Sequence, residues 1–484
     1  PDRGLRCVVS NPLAPDWLSV PGDANLLDSR LWPDGVARGN RDELTIHGVP
    51  ASRLVADYGS PLYVVDLDTV RRRAAWIRDV MTSAFEAPGR RVRVYYATKA
   101  LLAGDVLHVI RQEGLGADVS SAGEWTAATR AGIDPSDIEY QGNNKSDAEL
   151  HQAVQAGVGA IVLDSAQEVR RVAAVATAVG VTQPVMIRVN TGVHAGTHDY
   201  LATAREDQKF GIARSDIPEV ADAIRAESSL TLIGLHSHIG SQIVSPDGFV
   251  EATTRVLELY ERLSADHPLG VLNIGGGFAI PYTPSDPESN VELIAQRIAA
   301  EVNAFCERTG IDIPVVACEP GRVIVGPAGI TLYSVGTTKS VIVETESGEA
   351  ERLYVSVDGG MSDNLRPALY GANYTARLAN RASSAAPALV RIVGSHCESG
   401  DIVVHADYVP GDVAPGDILA VAGTGAYCHS LASNYNGFGR PALVVIEGGE
   451  ARVGIRAESV DDVLSRDLGL ALGVQHSQSG ESGQ

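Results

Sequence analysis

The stretch "RVRVYYATKA", residues 91–100, alternates polar and apolar positions through Val92, Val94 and Tyr96 and then stops on a single lysine, Lys99. A period of two marks a strand. A lysine at a strand's end ordinarily does no more than cap it where the chain meets water. What lies downstream gives this one a different setting.

Past residue 100 a fixed order recurs: a short β-branched run, a longer Ala/Leu/Glu/Arg-rich segment of helical spacing, then Gly or Asp-Pro. The runs are "RVRVYYA", "GLGADV", "DIEYQG", "AIVLD", "PVMIRVN", "LTLIGLHSH", "GVLNIGG" and "PVVACE", with helices such as "GEWTAATRAG" between them. Eight strand–helix units predict a (β/α)8 barrel of the TIM type, whose strands, buried on both faces, read as Val/Ile/Leu runs. A doubly wound open sheet has the same alternation, because periodicity does not report closure.

From about residue 331 the pattern changes. "ITLYSVGTTKSVIVETESG", "ERLYVSVDGG", "ALVRIVGSHCESGDIVV", "DILAVAG" and "ALVVIEGGEARVGI" are strand-like runs separated by turns, which predicts an antiparallel β-domain of barrel or sandwich type. The division expected is an N-terminal extension, 1–44, rich in Pro, Gly, Asp and Asn and loosely packed; a segment, 45–64, that lends the β-domain its first strand; the barrel, 65–330; the β-domain, 331–468; and a frayed polar tail, 469–484.

Composition excludes several classes. Lys+Arg number 39 and Asp+Glu 60, a net charge of −21 with no dense basic cluster, so a nucleic-acid partner is not expected. No apolar run approaches the length of a membrane span, and the N-terminus lacks the apolar core of a signal peptide. The five cysteines (Cys7, Cys306, Cys318, Cys397 and Cys428) are scattered, without CxxC pairs or metal-ligand spacing. That predicts a reducing, cytoplasmic setting and no metal site.

The C-terminal ends of barrel strands form the catalytic face. Lys99 closes the first strand, Asp118 the second, "HSHIGSQ" (236–242) the sixth, "GGG" (275–277) the seventh and "EPGR" (319–322) the eighth. Singly, each has an ordinary structural reading: a satisfied core histidine, a flexible turn, a loop acid. All five share one mouth. Consecutive glycines let backbone N–H groups approach an anion, and turns after the seventh and eighth strands are common phosphate sites in barrels. "NIGGGFA" is not a Walker loop. A lysine beside a phosphate cradle predicts pyridoxal phosphate, whose aldehyde needs an amine, with Glu319 to keep the pyridine nitrogen protonated.

With those motifs, "YYATKA", "HSHIGSQ", "GGGFAIPY", "EPGR", "VDGGMSDNLRPALY", "CESGD" and "GAYCHSLASNYNGFGRP", the chain resembles the alanine-racemase-like (fold-type-III) pyridoxal-phosphate decarboxylases, and within them the diaminopimelate decarboxylases. The resemblance runs from about "ELTIHG" to "DDVLSRD". "GNNKSDAEL" and "HAGTHDYLATAREDQKFG" fit that branch better than the ornithine or arginine decarboxylases, while "ASNYN", "RAES" and the long N-terminal extension depart from its pattern.

The resemblance implies roles. Lys99 is the Schiff-base lysine, His238 stacks on the cofactor ring, and Ser241 with Gly275, Gly276 and Gly277 holds the phosphate. Asp118 also belongs to the cofactor set, Glu319 pairs with the pyridine nitrogen, and Tyr427 lies over the cofactor against the substrate. Arg322, Arg366 and Tyr370 hold the substrate's far end. Cys397, as proton donor, and Glu398, as substrate ligand, reach the site from the partner subunit of a homodimer. The implied reaction is decarboxylation of meso-2,6-diaminopimelate to L-lysine, the last step of lysine biosynthesis. A racemase of this fold would carry an arginine where Glu319 stands. A decarboxylase of another basic or diamino acid (ornithine, arginine or carboxynorspermidine type) and a non-catalytic regulatory homologue remain the alternatives.

Overall fold

The computed structural model describes residues 11–193, 209–265, 267–346 and 348–470. Cys7, most of "HAGTHDYLATAREDQKFG" and the end of the polar tail lie outside the described residues. The chain divides into two units, one of residues 67–281 and 286–327, the other from the residues up to 66, residues 282–285 and those from 328 onward.

In the first unit the eight apolar runs are strands: Arg91–Ala97, Gly116–Val119, Ile138–Tyr140, Ala160–Leu163, Gln183–Asn190, Leu230–His236, Val271–Asn273 and Val315–Cys318. Each pairs in parallel with the next. Val316 lies opposite Val92, so the eighth strand returns to the first and the sheet closes. Closure eliminates the open-sheet alternative. A further two-residue strand, Ile212–Ala213, adds to the outside of the fifth.

The helices between strands follow from local signals. Ser146 and Glu149 form a reciprocal capping box at the start of Asp147–Gln155. Val291–Thr309 ends at Gly310 in the left-handed region and buries Ile294, Ala295, Ile298, Val302 and Phe305 along one stripe. Each such large side chain contributes roughly 1.5–3 kcal/mol by leaving water.

The second unit is organised on the long strand Gly329–Thr345. Its first residues pair with Leu62–Asp66 on one side and Ile418–Ala422 on the other, and the remainder forms a hairpin with Gly348–Val357. Two pairings are parallel, Leu62–Asp66 with Ala442–Glu447 and Gly348–Val357 with Pro387–Val393, so the sheet is mostly rather than wholly antiparallel. Strands brought from distant parts of the chain are free of the hairpin constraint that forces antiparallel order. Of the segment 45–64, only the end that begins the strand Leu62–Asp66 joins this sheet. Leu44–Ile46 sits in a separate three-stranded sheet with Val36–Arg38 and Val49–Pro50.

The extension is not loose over its described part. Leu31 and Trp32 are buried in one core cluster with Ile46, Leu62, Ile330 and Val444, and Leu13 and Leu18 pack against Leu389 and Tyr408. Isolated apolar anchors in an irregular segment leave no period to read, which is why the sequence suggests looseness there. Among the described residues no helix is long and apolar enough to cross a membrane.

Candidate functional site

At the C-terminal mouth of the barrel the strand ends gather a group of polar side chains. Lys99 stands in the single turn Thr98–Ala100 that follows the first strand, and its Nζ is 3.9 Å from Asp118 Oδ2. Half of the lysine side chain is exposed, whereas Asp118 is buried. Asp118 Oδ1 has no hydrogen-bond partner among the described residues. Burial, reinforced by the charge of Glu319 and only partly opposed by Lys99, pushes the Asp118 carboxyl up from the usual carboxylate range.

Glu319, one residue past the eighth strand, is also buried. Its Oε1 lies 2.8 Å from His236 Nε2 and accepts from Gln141 Nε2 at 2.5 Å and Asn273 Nδ2 at 2.8 Å. Burial alone would raise this carboxyl. The pull of His236 and its hydrogen bond, with the charge of Lys99 adding to it, outweighs burial and holds Glu319 down, as the carboxylate.

His238, two residues past the sixth strand, accepts the Gly276 N–H on Nδ1 at 3.2 Å. Loss of water, with Lys99 and Arg188 nearby, pushes its imidazole down to about 3. The ring is therefore neutral, and with Nδ1 occupied as acceptor its proton is assigned to Nε2.

The glycines require a correction to the expected cradle. Gly275 N–H already donates to Asn273 Oδ1 at 2.8 Å and Gly276 N–H to His238. Among the described residues only the Gly277 N–H of the three finds no protein acceptor. Glycine is needed here chiefly for close approach and backbone shape. A Cβ on Gly276 would fall 2.1 Å from the Glu319 carbonyl oxygen, and Gly277 has φ +107°. The loop beyond is fixed by the Gln242 amide, which spans Ile280 N and O at 3.0 Å each. Ser241 Oγ accepts from Arg322 Nη2 at 3.0 Å.

Lys99, Asp118, Gln141, Arg188, His238 and Ser241 line a cavity of about 510 Å³, within the range of small-molecule sites. An amine half open to the cavity, the ionised Glu319 carboxylate at the end of the eighth strand, a neutral imidazole, and a hydroxyl with a spare N–H near an arginine make a donor set that fits pyridoxal phosphate. The unpartnered Asp118 Oδ1 is a polar atom such a group would satisfy.

Arg366, Tyr370, Cys397, Glu398 and Tyr427 belong to the other unit. Arg366 opens the short helix Arg366–Tyr370 and is 5% exposed. Its guanidinium bonds Tyr374 Oη and lies 4.5 Å over the Tyr282 ring, with no acid paired to it among the described residues. Tyr374 Oη is also 3.6 Å from Cys428 Sγ, which brings the turn carrying Tyr427 to the same cluster. Tyr427 itself has φ +64°, a strained conformation for a non-glycine residue. Tyr370 is 68% exposed. Cys397 and Glu398 are exposed as well, on a loop held by the Cys397 N–H bonded to Asn436 Oδ1 at 3.2 Å.

The sequence reading passes over Gln141, Arg188 and Asn273, and leaves His236 without a role. The available signal was a polar residue at or near the end of an otherwise apolar barrel strand, which is where each of them stands.

The chain matches the family described as pyridoxal-dependent decarboxylase, pyridoxal binding domain, over residues 67–326. It is 45% identical over 450 residues to the diaminopimelate decarboxylase of Mycobacterium tuberculosis, covering 91% of this chain and 98% of that relative. Among solved structures, the diaminopimelate decarboxylase of M. jannaschii superposes with a TM-score of 0.81 at 28% identity, covering 90% of this chain and 98% of that one. The Helicobacter pylori diaminopimelate decarboxylase complexed with L-lysine gives 0.76 at 28% identity, covering 86% and 99%.

Proposed function

The chain belongs to the diaminopimelate decarboxylase family of pyridoxal-dependent enzymes, and on that premise we propose that it removes CO2 from meso-2,6-diaminopimelate to give L-lysine, the last step of lysine biosynthesis. The observation that carries the substrate is Arg366, a buried guanidinium without a carboxylate partner among the described residues. Ornithine or lysine offers an ammonium at its far end. Diaminopimelate offers a carboxylate there as well, and a buried arginine left without one is penalised.

When bound, pyridoxal phosphate supplies the sink for the electron pair that CO2 leaves behind. Each remaining task falls to a side chain. Lys99 would hold the cofactor's aldehyde carbon, the neutral ring of His238 would face the cofactor, and Asp118 would complete its polar contacts. Glu319, kept anionic by three N–H donors, would hold a proton on the pyridine nitrogen. Ser241 and the Gly275–Gly277 turn, chiefly its Gly277 N–H, hold the phosphate. Arg322, Arg366, Tyr370 and Glu398 orient the substrate's distal amino-acid head, Tyr427 covers the site, and Cys397 returns a proton to the substrate carbon.

The exposure of Cys397 and Glu398 supports a homodimer in which these residues complete the partner's site. Free cysteines, Cys306, Cys318, Cys397 and Cys428, suit a cytoplasmic enzyme of small-molecule metabolism. The test is CO2 release from meso-diaminopimelate, L-lysine, L-ornithine and L-arginine. Diaminopimelate should lead the others by at least ~10³ in kcat/KM. A better rate with ornithine or arginine would reject the substrate and leave the cofactor assignment standing.

A further inference from the structure

Below Glu319, toward the opposite mouth of the barrel, lies a second carboxyl that the reading above does not use. Glu139 occupies the middle of the third strand, Ile138–Tyr140, and is 2% exposed. The amide nitrogen of Asn273 bridges the two acids: Nδ2 is 2.7 Å from Glu139 Oε2 and 2.8 Å from Glu319 Oε1. Asn273 is itself fixed, since its Oδ1 accepts the Gly275 N–H. Glu139 also borders a cavity of about 570 Å³ formed where the strands begin, with Arg91, Arg93 and Tyr95.

Two carboxyls joined through one amide in a dry core do not both carry charge. The donors decide between them. Glu319 receives His236, Gln141 and Asn273, whereas Glu139 receives two donors, Asn273 and the hydroxyl of Tyr95, which itself accepts from Arg93. The other charged groups facing this core are Asp118, which adds repulsion, Lys99, which sits beside Asp118, and on the strand-start side Arg93, which favours the ionised form of Glu139 but is partly open to water.

We propose that Glu139 is a positioning residue for Glu319: it stands as a neutral acid at working pH and, through Asn273, orients the Glu319 carboxylate toward the cofactor. The direction of its proton affinity agrees, since burial, then Glu319 and Asp118, push the Glu139 carboxyl well up. A neutral carboxyl and a carboxamide are near-isosteres with the same acceptor and donor. An ionised Glu139 would instead repel the Glu319 charge across Asn273 and raise the proton affinity of Glu319 itself.

The role rests on the proposed cofactor chemistry, so the test has one arm that needs the cofactor and one that does not. In cofactor-free protein, melting temperature is followed from pH 4 to 8 for the unaltered chain and Glu139→Gln. A group neutral when folded but ionised when unfolded above about 4.3 loses stability as pH rises. The Gln variant should therefore gain on the unaltered protein steadily across that range. A gap that is constant or reversed would overturn the proposal. In loaded protein, Glu139→Gln should keep kcat, KM and the pH titration of the cofactor's visible absorbance within about twofold, while Glu139→Ala should lower kcat about tenfold at unchanged KM and displace the titration. A Gln variant as damaged as the Ala variant, or an Ala variant with unaltered kcat and titration, would also overturn it. Failure of the unaltered protein to take up pyridoxal phosphate would count against the decarboxylase reading, and the melting arm would still decide Glu139.

Discussion

His236 Nε2 and Glu319 Oε1 are 2.8 Å apart across the barrel mouth, and both side chains are almost wholly out of water. A buried carboxylate persists only if it is paired or richly hydrogen-bonded. Here a single oxygen receives the imidazole and two amides.

The charge on that carboxylate is open to direct test. Glu319→Gln keeps the shape and most of the hydrogen bonds but removes the charge that faces the pyridine. We expect kcat to fall by about 10²–10³, the magnitude typical of losing one well-placed electrostatic contact, with the fold intact by circular dichroism. A variant retaining half of its turnover would remove Glu319 from the chemistry.

Lys99 and Cys397 can be tested together. Lys99→Ala should fold, lose the visible absorbance of the bound cofactor and lose nearly all turnover. Cys397→Ala should lose roughly 10² or more in rate if the thiol supplies the proton. If the two residues come from different subunits, randomly reassorted mixtures of the two variants should carry up to about a quarter of fully wild-type sites. Mixtures no more active than their parents would rule out a shared site.

For Arg366 the measurement is selectivity. Arg366→Ala should cut kcat/KM for diaminopimelate by ~10² or more, given the strength of buried charge-assisted bonds, and hurt any monocarboxylic diamino acid far less. Equal losses on both substrates would mean that Arg366 supports the Tyr374 and Tyr282 packing and does not read the substrate.

A fourth expectation concerns acid stability. His238 has its imidazole pushed down to about 3 in the folded chain, against about 6.5 in an unfolded one. Between those values the unfolded state binds the extra proton, so stability falls as pH drops from about 6.5 toward 3. His238→Asn should flatten that part of the melting-temperature profile in cofactor-free protein. An unchanged slope would assign the acid sensitivity to other groups.

The eight barrel strands were legible because parallel strands buried on both faces leave uninterrupted apolar runs, and the mouth was legible because Lys99, His238 and Glu319 follow those runs at once. Closure was not legible, since it depends on Val316 meeting Val92 across the whole unit. The wiring beneath the mouth was hidden for a related reason. Asn273 and Glu139 lie far apart in sequence, and nothing local to either announces a shared amide. The packing of the extension around Trp32 was not legible, because a lone anchor in a Pro- and Gly-rich segment resembles any other loop residue. The triple glycine was read as bare N–H groups, although two of the three are already spoken for by Asn273 and His238.

The strand Leu62–Asp66 is made early in translation, yet its partners Gly329–Thr345 and Ala442–Glu447 lie on the far side of the entire barrel. At about 5–20 residues per second on the ribosome, tens of seconds separate this strand from its second neighbour. All eight barrel strands emerge within that interval and can close without it. Meanwhile Leu54, Leu62 and Val64, buried in the finished core with Ile330 and Val444, lack those later neighbours. The nascent chain thus carries a partly covered, sticky segment ahead of a folded middle, which makes the stretch of synthesis between the emergence of Leu62–Asp66 and that of Ala442–Glu447 the window in which a holdase chaperone would matter most and in which a stalled or truncated product would aggregate through its unpaired edge.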